Sequence, residues 1–303
     1  PGEANSLTIA LDAGNAIFGA AVGAIGPLGE LRIVSAMNVT ALSELNAARV
    51  VQQAGSGVTT FDGAINTTET LFSGLDLTGN GVVFNAPVTT TGEGSVSIVH
   101  AGLLDINPLA DMLLQGTFSE TGAGSVELAG DIASIDGDIH FGSPVTLTDG
   151  TAANVLLDTK PAGNDVGNTI VFDDTVNAQH VGVESLRLNA TIISFQGAVG
   201  DNGRLGELRI IEAGEVNLSG SLTATRFVQD SGYGGTMFHG IVNTNDATRP
   251  GIDVNTGFVS FFDAVTTTGD GRVELTVTQS LDLAAAADMN LSGSFLQDGG
   301  GTV

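Results

Sequence analysis

Cysteine and tryptophan are absent from this chain, and tyrosine and lysine occur once each, as Tyr233 and Lys160. No disulfide can form, so the fold is held by packing and hydrogen bonds. Nine Lys and Arg face 34 Asp and Glu, for a formal net charge of −25. Phosphate recognition needs a basic footprint, so nucleic-acid binding is set aside. Attraction to an anionic membrane surface is disfavoured for the same reason. Long apolar runs are missing too. The most apolar stretch, AIFGAAVGAIGPLG at Ala16–Gly29, is too short for a bilayer and is broken by Gly and Pro, so no membrane insertion is expected.

What is abundant is glycine, 43 of 303 residues, lying mostly between short β-branched runs such as GSVSIVHAGLL, NTIVFDDTV and GRVELTVTQSLDL. Such runs are strand-like, and the glycines mark turns. The hexapeptide LGELRI occurs at Leu28–Ile33 and again at Leu205–Ile210. Sliding the chain against itself by 177 residues lays Pro1–Val126 over Ala178–Val303 without a gap, with 49 of 126 pairs identical. The chain therefore reads as one repeat unit, residues 1–177, followed by a truncated second copy, 178–303. Both termini fall inside the repeat, so a segment of a longer polypeptide is expected, with its export signals elsewhere.

A finer period runs inside the unit. Phe is followed four residues later by Val or Ile in IFGAAV, TFDGAI, VFNAPV, HFGSPV, VFDDTV, SFQGAV and MFHGIV, and FFDAVT carries the same pair. Successive phenylalanines of this set lie 43, 23, 57, 31, 23, 43 and 23 residues apart. A step of 23 suits one coil of a β-solenoid and 43 suits two; 57 and 31 are read as coils with larger loops. Phe and Val at i and i+4 share a side in a strand and in a helix, but the Gly, Asp and Asn around the pairs are poor helix. Leu42–Ala48 and Leu283–Ala287, which have some helical character, are assigned to loop or strand. The expected fold is all-β: a right-handed parallel β-helix of roughly 14 coils, each stacking its apolar side chains on the next.

Runs such as FSETGAGSVELAGDI, TTFDGAINT, VTTTGEGSVSI and ADMLLQGTF resemble the long β-strand repeats of giant bacterial surface proteins, similar to filamentous-haemagglutinin-like adhesins. The resemblance covers essentially the whole chain. It implies a parallel β-helix, an extracellular or cell-surface location, and a role in adhesion or in a fibre or sheath. The partners implied are further repeats of the same chain or identical subunits end to end, and other cells or glycans.

Candidate sites are few. Glu30 with Arg32, and Glu207 with Arg209, sit two apart on a strand and so point to one face; a solvated ion pair on the outer wall is the expectation. Acidic clusters offer Asp131, Asp136 and Asp138, then Asp173 and Asp174, and a loop carries Asp158 and Asp165. Calcium needs six to eight converging oxygens, and none of these clusters follows a calcium-binding repeat or an EF-hand, so they are weak calcium candidates and no other cofactor is expected. Asp136 and Asp138 share a face if their segment is a strand. His100, His140, His180 and His239 are not at metal-ligand spacing and read as isolated outer-wall residues. Basic residues are few and dispersed along the chain, which leaves catalysis little to stand on. VTTTG at Val88–Gly92 and Val265–Gly269 evokes an ice-binding face, but two copies make no flat threonine array. The leading expectation is a non-enzymatic structural or adhesive segment. The alternative is a glycan-binding or polysaccharide-degrading β-helix, marked by a groove lined with acids, Arg and aromatics.

Overall fold

A computed structural model describes residues 5–148, 154–161, 167–269 and 271–302. It is all-β, with no helix among the described residues, and forms a parallel β-solenoid of about 13 turns, close to the expected number. Packing divides it into two compact units, Pro1–Pro144 with Thr159–Asn164, and Val145–Asp158 with Asp165–Val303. That partition follows packing and is independent of the repeat boundary at 177.

Most turns of unit 1 carry three short strands, one per wall, while the strand Leu45–Gln52 runs from the third wall into the first. On the first wall Leu31, Val50, Leu75, Val96, Phe118 and Ile139 stand in register from coil to coil. Two residues further along lies the column Ile33, Gln52, Leu77, Ile98, Glu120 and Phe141. The second wall stacks Phe18, Ala41, Phe61, Phe84, Ile106 and Leu128. The third stacks Leu45, Ile65, Val88, Met112 and Ile132. Strand residues alternate between the two faces, so each of these columns points inward and its neighbours point to solvent. Phe61, Phe84, Ile98 and Phe118 are all at most 1% exposed.

Unit 2 repeats the plan. Its second wall stacks Phe172, Phe195, Leu218, Phe238, Phe261 and Leu283. Its third wall stacks Leu222, Val242, Val265 and Met289. The 23-residue step is one coil, as Phe172 over Phe195 shows, and the 43-residue step is two coils with Leu218 between Phe195 and Phe238.

Two expectations need correction. Phe and Val at i and i+4 do not share a strand. Phe84 closes a second-wall strand, Asn85–Pro87 turns the corner, and Val88 opens the third wall. Both side chains point inward because the corner, not the pleat, spans the gap. The 57-residue step from Phe84 to Phe141 is likewise no enlarged loop. Phe141 sits on the first wall, in register with Glu120, and packs on Phe118 with ring centroids 5.1 Å apart.

The VTTTG copies are explained by the corner from third wall to first. The middle threonines, Thr90 and Thr267, point inward and are 3% and 2% exposed, donating their hydroxyls to the Gly94 and Gly271 carbonyls. Gly92 and Gly269 follow with φ of +74° and +75°. A Cβ at Gly92 would meet the Glu69 carbonyl oxygen at 2.5 Å, so both conformation and space demand glycine there.

Candidate functional site

Within each unit, taken by itself, arginines scattered in sequence are gathered in space: in unit 1 on its first wall, and in unit 2 on and beside the strands Leu205–Leu218, Leu222–Gln229, Ile252–Phe261 and Val273–Leu283. The solenoid brings one outward position per strand to the same wall, so residues some twenty apart become neighbours. In unit 1, Arg32 donates Nε and Nη2 to the two carboxylate oxygens of Glu30 at 2.7 and 2.9 Å, flanking the buried Leu31 as expected. Arg49, one coil on, donates to Asp76 at 2.9 Å and lies over the Phe72 ring, 5.5 Å from its centroid. A shallow groove of about 340 Å³ is lined there by Arg32, Arg49, Gln53, Asp76 and Thr78. Phe72 itself is 61% exposed.

In unit 2 the pairing is denser. Arg209 forks onto Asp230 with two contacts of 2.7 Å and reaches Glu207 at 3.4 Å. Arg226, with a side chain only 9% exposed, lies between Glu207 at 3.3 Å and Asp253 at 3.4 Å and donates Nε to the Pro250 carbonyl. Arg249 binds Asp246 at 2.9 Å, and Arg272 binds Glu274 at 2.5 Å. Burial pushes the Asp253 carboxyl up; Arg226 opposes that, while Glu274 and Asp230 add to it. Asp246 is also buried, but the backbone N–H groups of Thr248 and Arg249 and the Arg249 guanidinium outweigh that cost and hold its carboxyl below the usual range.

The acidic candidates are not brought into one place. Asp136 lies in a bend and Asp138 in the link before the strand Ile139–Phe141, so the strand on which the shared face depended is absent there, and both residues are exposed. Asp136 accepts from the Gln115 amide, and the backbone N–H of Asp131 donates to Asp111 at 3.0 Å. Asp173 and Asp174 lie in the exposed corner after Phe172, where Asp174 accepts from the Thr175 N–H at 2.6 Å. Asp158 ends the strand Asn154–Asp158 and accepts from Asn189 at 3.0 Å; Asp165 lies outside the described residues. Among the described residues no three His, Asp or Glu side chains form a group that could hold a metal ion.

One histidine departs from the outer-wall expectation, and two agree with it. His180 and His239 are outer residues, the first bound to Glu184 at 2.6 Å and the second stacked on Phe262 with centroids 4.6 Å apart. His100 instead points into unit 1. Its ring Nδ1 lies 2.9 Å from the Gly102 carbonyl oxygen and its Nε2 2.7 Å from Glu120 Oε1, with both side chains fully buried. Ser143 completes the cluster, donating its hydroxyl to Glu120 Oε1 at 2.7 Å and its N–H to Oε2 at 3.1 Å. Sequence reasoning missed this group. The one available signal was the 20-residue separation of His100 and Glu120, close to a coil length.

Burial works against both charges. The hydrogen bond to Glu120, the Gly102 carbonyl and the attraction of the carboxylate nevertheless hold His100 above the ordinary imidazole range. The His100 contact and both Ser143 donors hold Glu120 below the ordinary carboxyl range. The cluster is enclosed: the His100 and Glu120 side chains are both fully buried.

The chain is thus a repeat protein of the β-solenoid class. No protein-family model matches it, and no curated protein or solved structure matches it either. No helix among the described residues is long and apolar enough to cross a membrane.

Proposed function

We propose that this chain is a non-enzymatic structural segment of an extracellular or cell-surface β-solenoid protein, in the manner of the filamentous-haemagglutinin-like adhesins it resembles. The observation that carries the reading is where the chain invests its regularity. The interior columns repeat from coil to coil and from unit to unit, and three phenylalanine pairs stack face to face: Phe61 on Phe84, Phe172 on Phe195, Phe238 on Phe261. Each coil is a template for the next, because a parallel strand leaves one row of N–H and C=O groups for its neighbour. Such stacking suits a fibre, built within one long chain or by end-to-end subunits. The acidic outer surface keeps neighbouring rods apart at low salt. Electron microscopy of the native material is expected to show rods a few nanometres wide and much longer than one segment; short monodisperse particles would count against the proposal.

A glycan-binding role is the second reading, favoured by the groove on unit 1 where Arg32, Arg49 and Asp76 meet beside the exposed Phe72. Incubation with plant and bacterial polysaccharides separates the two. Retention of a glycan that is lost in Phe72→Ala supports binding there, and new reducing ends or unsaturated products would replace the structural reading with an enzymatic one.

A further inference from the structure

We propose that His100, Glu120 and Ser143 form a pH-dependent latch inside unit 1, in which one retained proton clamps three successive coils and its loss loosens them. The three residues belong to consecutive passes of the chain. His100 ends the strand Val96–His100, Glu120 is central in Phe118–Gly122, and Ser143 lies in the corner after Ile139–Phe141.

The geometry dictates the proton count. The Gly102 carbonyl can only accept, so Nδ1 carries a hydrogen; Nε2 faces a carboxylate oxygen, which accepts when ionised. The pocket is therefore satisfied when one proton lies between Nε2 and Oε1, and the two further donors on Glu120, the Ser143 hydroxyl and N–H, favour keeping it on the ring, as an imidazolium against a carboxylate. Remove the proton, and an imidazole lone pair faces a carboxylate with both side chains fully buried. Glycines make the room. His100 stands in register with Gly79 on one side and Gly122 on the other, and a Cβ on Gly124 would come within 2.5 Å of Nδ1. The side chains turned inward on the neighbouring first-wall strands are Leu75 and Leu77 from one coil, Phe118 and Glu120 from the next, and Ile139 and Phe141 from the third. Glu120 is the titratable member of that set.

The sign follows from the two titrations. His100 is held above its ordinary 6.5, so its contribution is whole below that value and is lost as pH rises through the native titration. Glu120 is held below its ordinary 4.5, so its contribution is whole above that value and is lost as pH falls through the native one. The latch is fully closed between these ordinary values and opens on either side. At the 177-residue offset unit 2 carries Val277, itself fully buried, and Gln297 in these places, so it serves as an internal control.

The test uses the whole chain. Long-range proton–nitrogen NMR reads the His100 ring, which is expected to carry both protons at neutral pH and to titrate above 6.5. Hydrogen exchange, corrected for intrinsic rates, compares Val96–His100 and Phe118–Gly122 with Ile252–Phe261. The protection ratio is expected to fall by up to about tenfold for each pH unit between the ordinary and native imidazole titrations, and to stay flat in the double variant His100→Val with Glu120→Leu. Should that variant fail to fold, the NMR titration and the wild-type exchange profile decide on their own. A neutral His100 ring at pH 7, or a wild-type protection ratio that does not change across the titration, overturns the latch.

Discussion

Phe172 and Phe195 lie one coil apart with ring centroids 4.9 Å from each other and planes 3° from parallel. That spacing is the strand separation of a parallel sheet, so the solenoid itself sets the stacking geometry. Aromatic pairs held this way add about 0.5–1.5 kcal/mol beyond the area they bury.

Phe195→Ala is expected to destabilise unit 2 by about 3–5 kcal/mol, read from denaturant unfolding. Phe195→Leu is expected to cost far less, because Leu218 fills the next place in the same column. Equal losses for the two variants would mean that the column does not carry the packing.

Arg226 and Arg32 are expected to differ although both are paired. Arg226 is nearly buried between two carboxylates, and Arg226→Met is expected to cost roughly 1.5–3 kcal/mol through lost charged hydrogen bonds. The Arg32 side chain is 30% exposed, and Arg32→Met is expected to leave thermal stability almost unchanged. Melting curves of the two variants at low and high salt provide the comparison.

Gly92→Ala and Gly269→Ala are each expected to destabilise by at least about 1–2 kcal/mol, since both place an L side chain in the left-handed region. Gly19→Ala, with no atom within 4 Å of its added methyl, is the neutral control. Thermal denaturation of the three variants checks the order.

Acid is expected to weaken the loop at Asp246 in unit 2. Its carboxyl is held below the ordinary 3.8, so the stabilisation is whole above that value and is lost as pH falls through the native titration. Exchange protection of the Thr248 and Arg249 amides should drop with acid in the wild type, and Asp246→Asn should remove that dependence.

Much of the wall pattern was legible in sequence because alternation along a strand is local. Leu31 and Ile33 inward with Glu30 and Arg32 outward follow from LGELRI alone, and the same hexapeptide buries Leu208 and Ile210 in unit 2. The arginine wall was harder to see. Arg209, Arg226 and Arg249 are separated by 17 and 23 residues, a spacing that gains meaning only once coil lengths are known.

By itself, then, the sequence determined the parallel stacking of unequal coils, the inward phenylalanines and the glycines after each VTTT, because repeat identity, two-residue alternation and positive φ are local or periodic properties. Tertiary structure alone decided that Phe141 stands on the first wall and that His100 meets Glu120 rather than water. Those placements depend on how many residues each corner and loop consumes. Glu120 is level with Ile98, and His100 is level with Gly122, so the pair meets on a diagonal across glycine-made space. That register is a sum over whole coils, and no short stretch of the chain contains it.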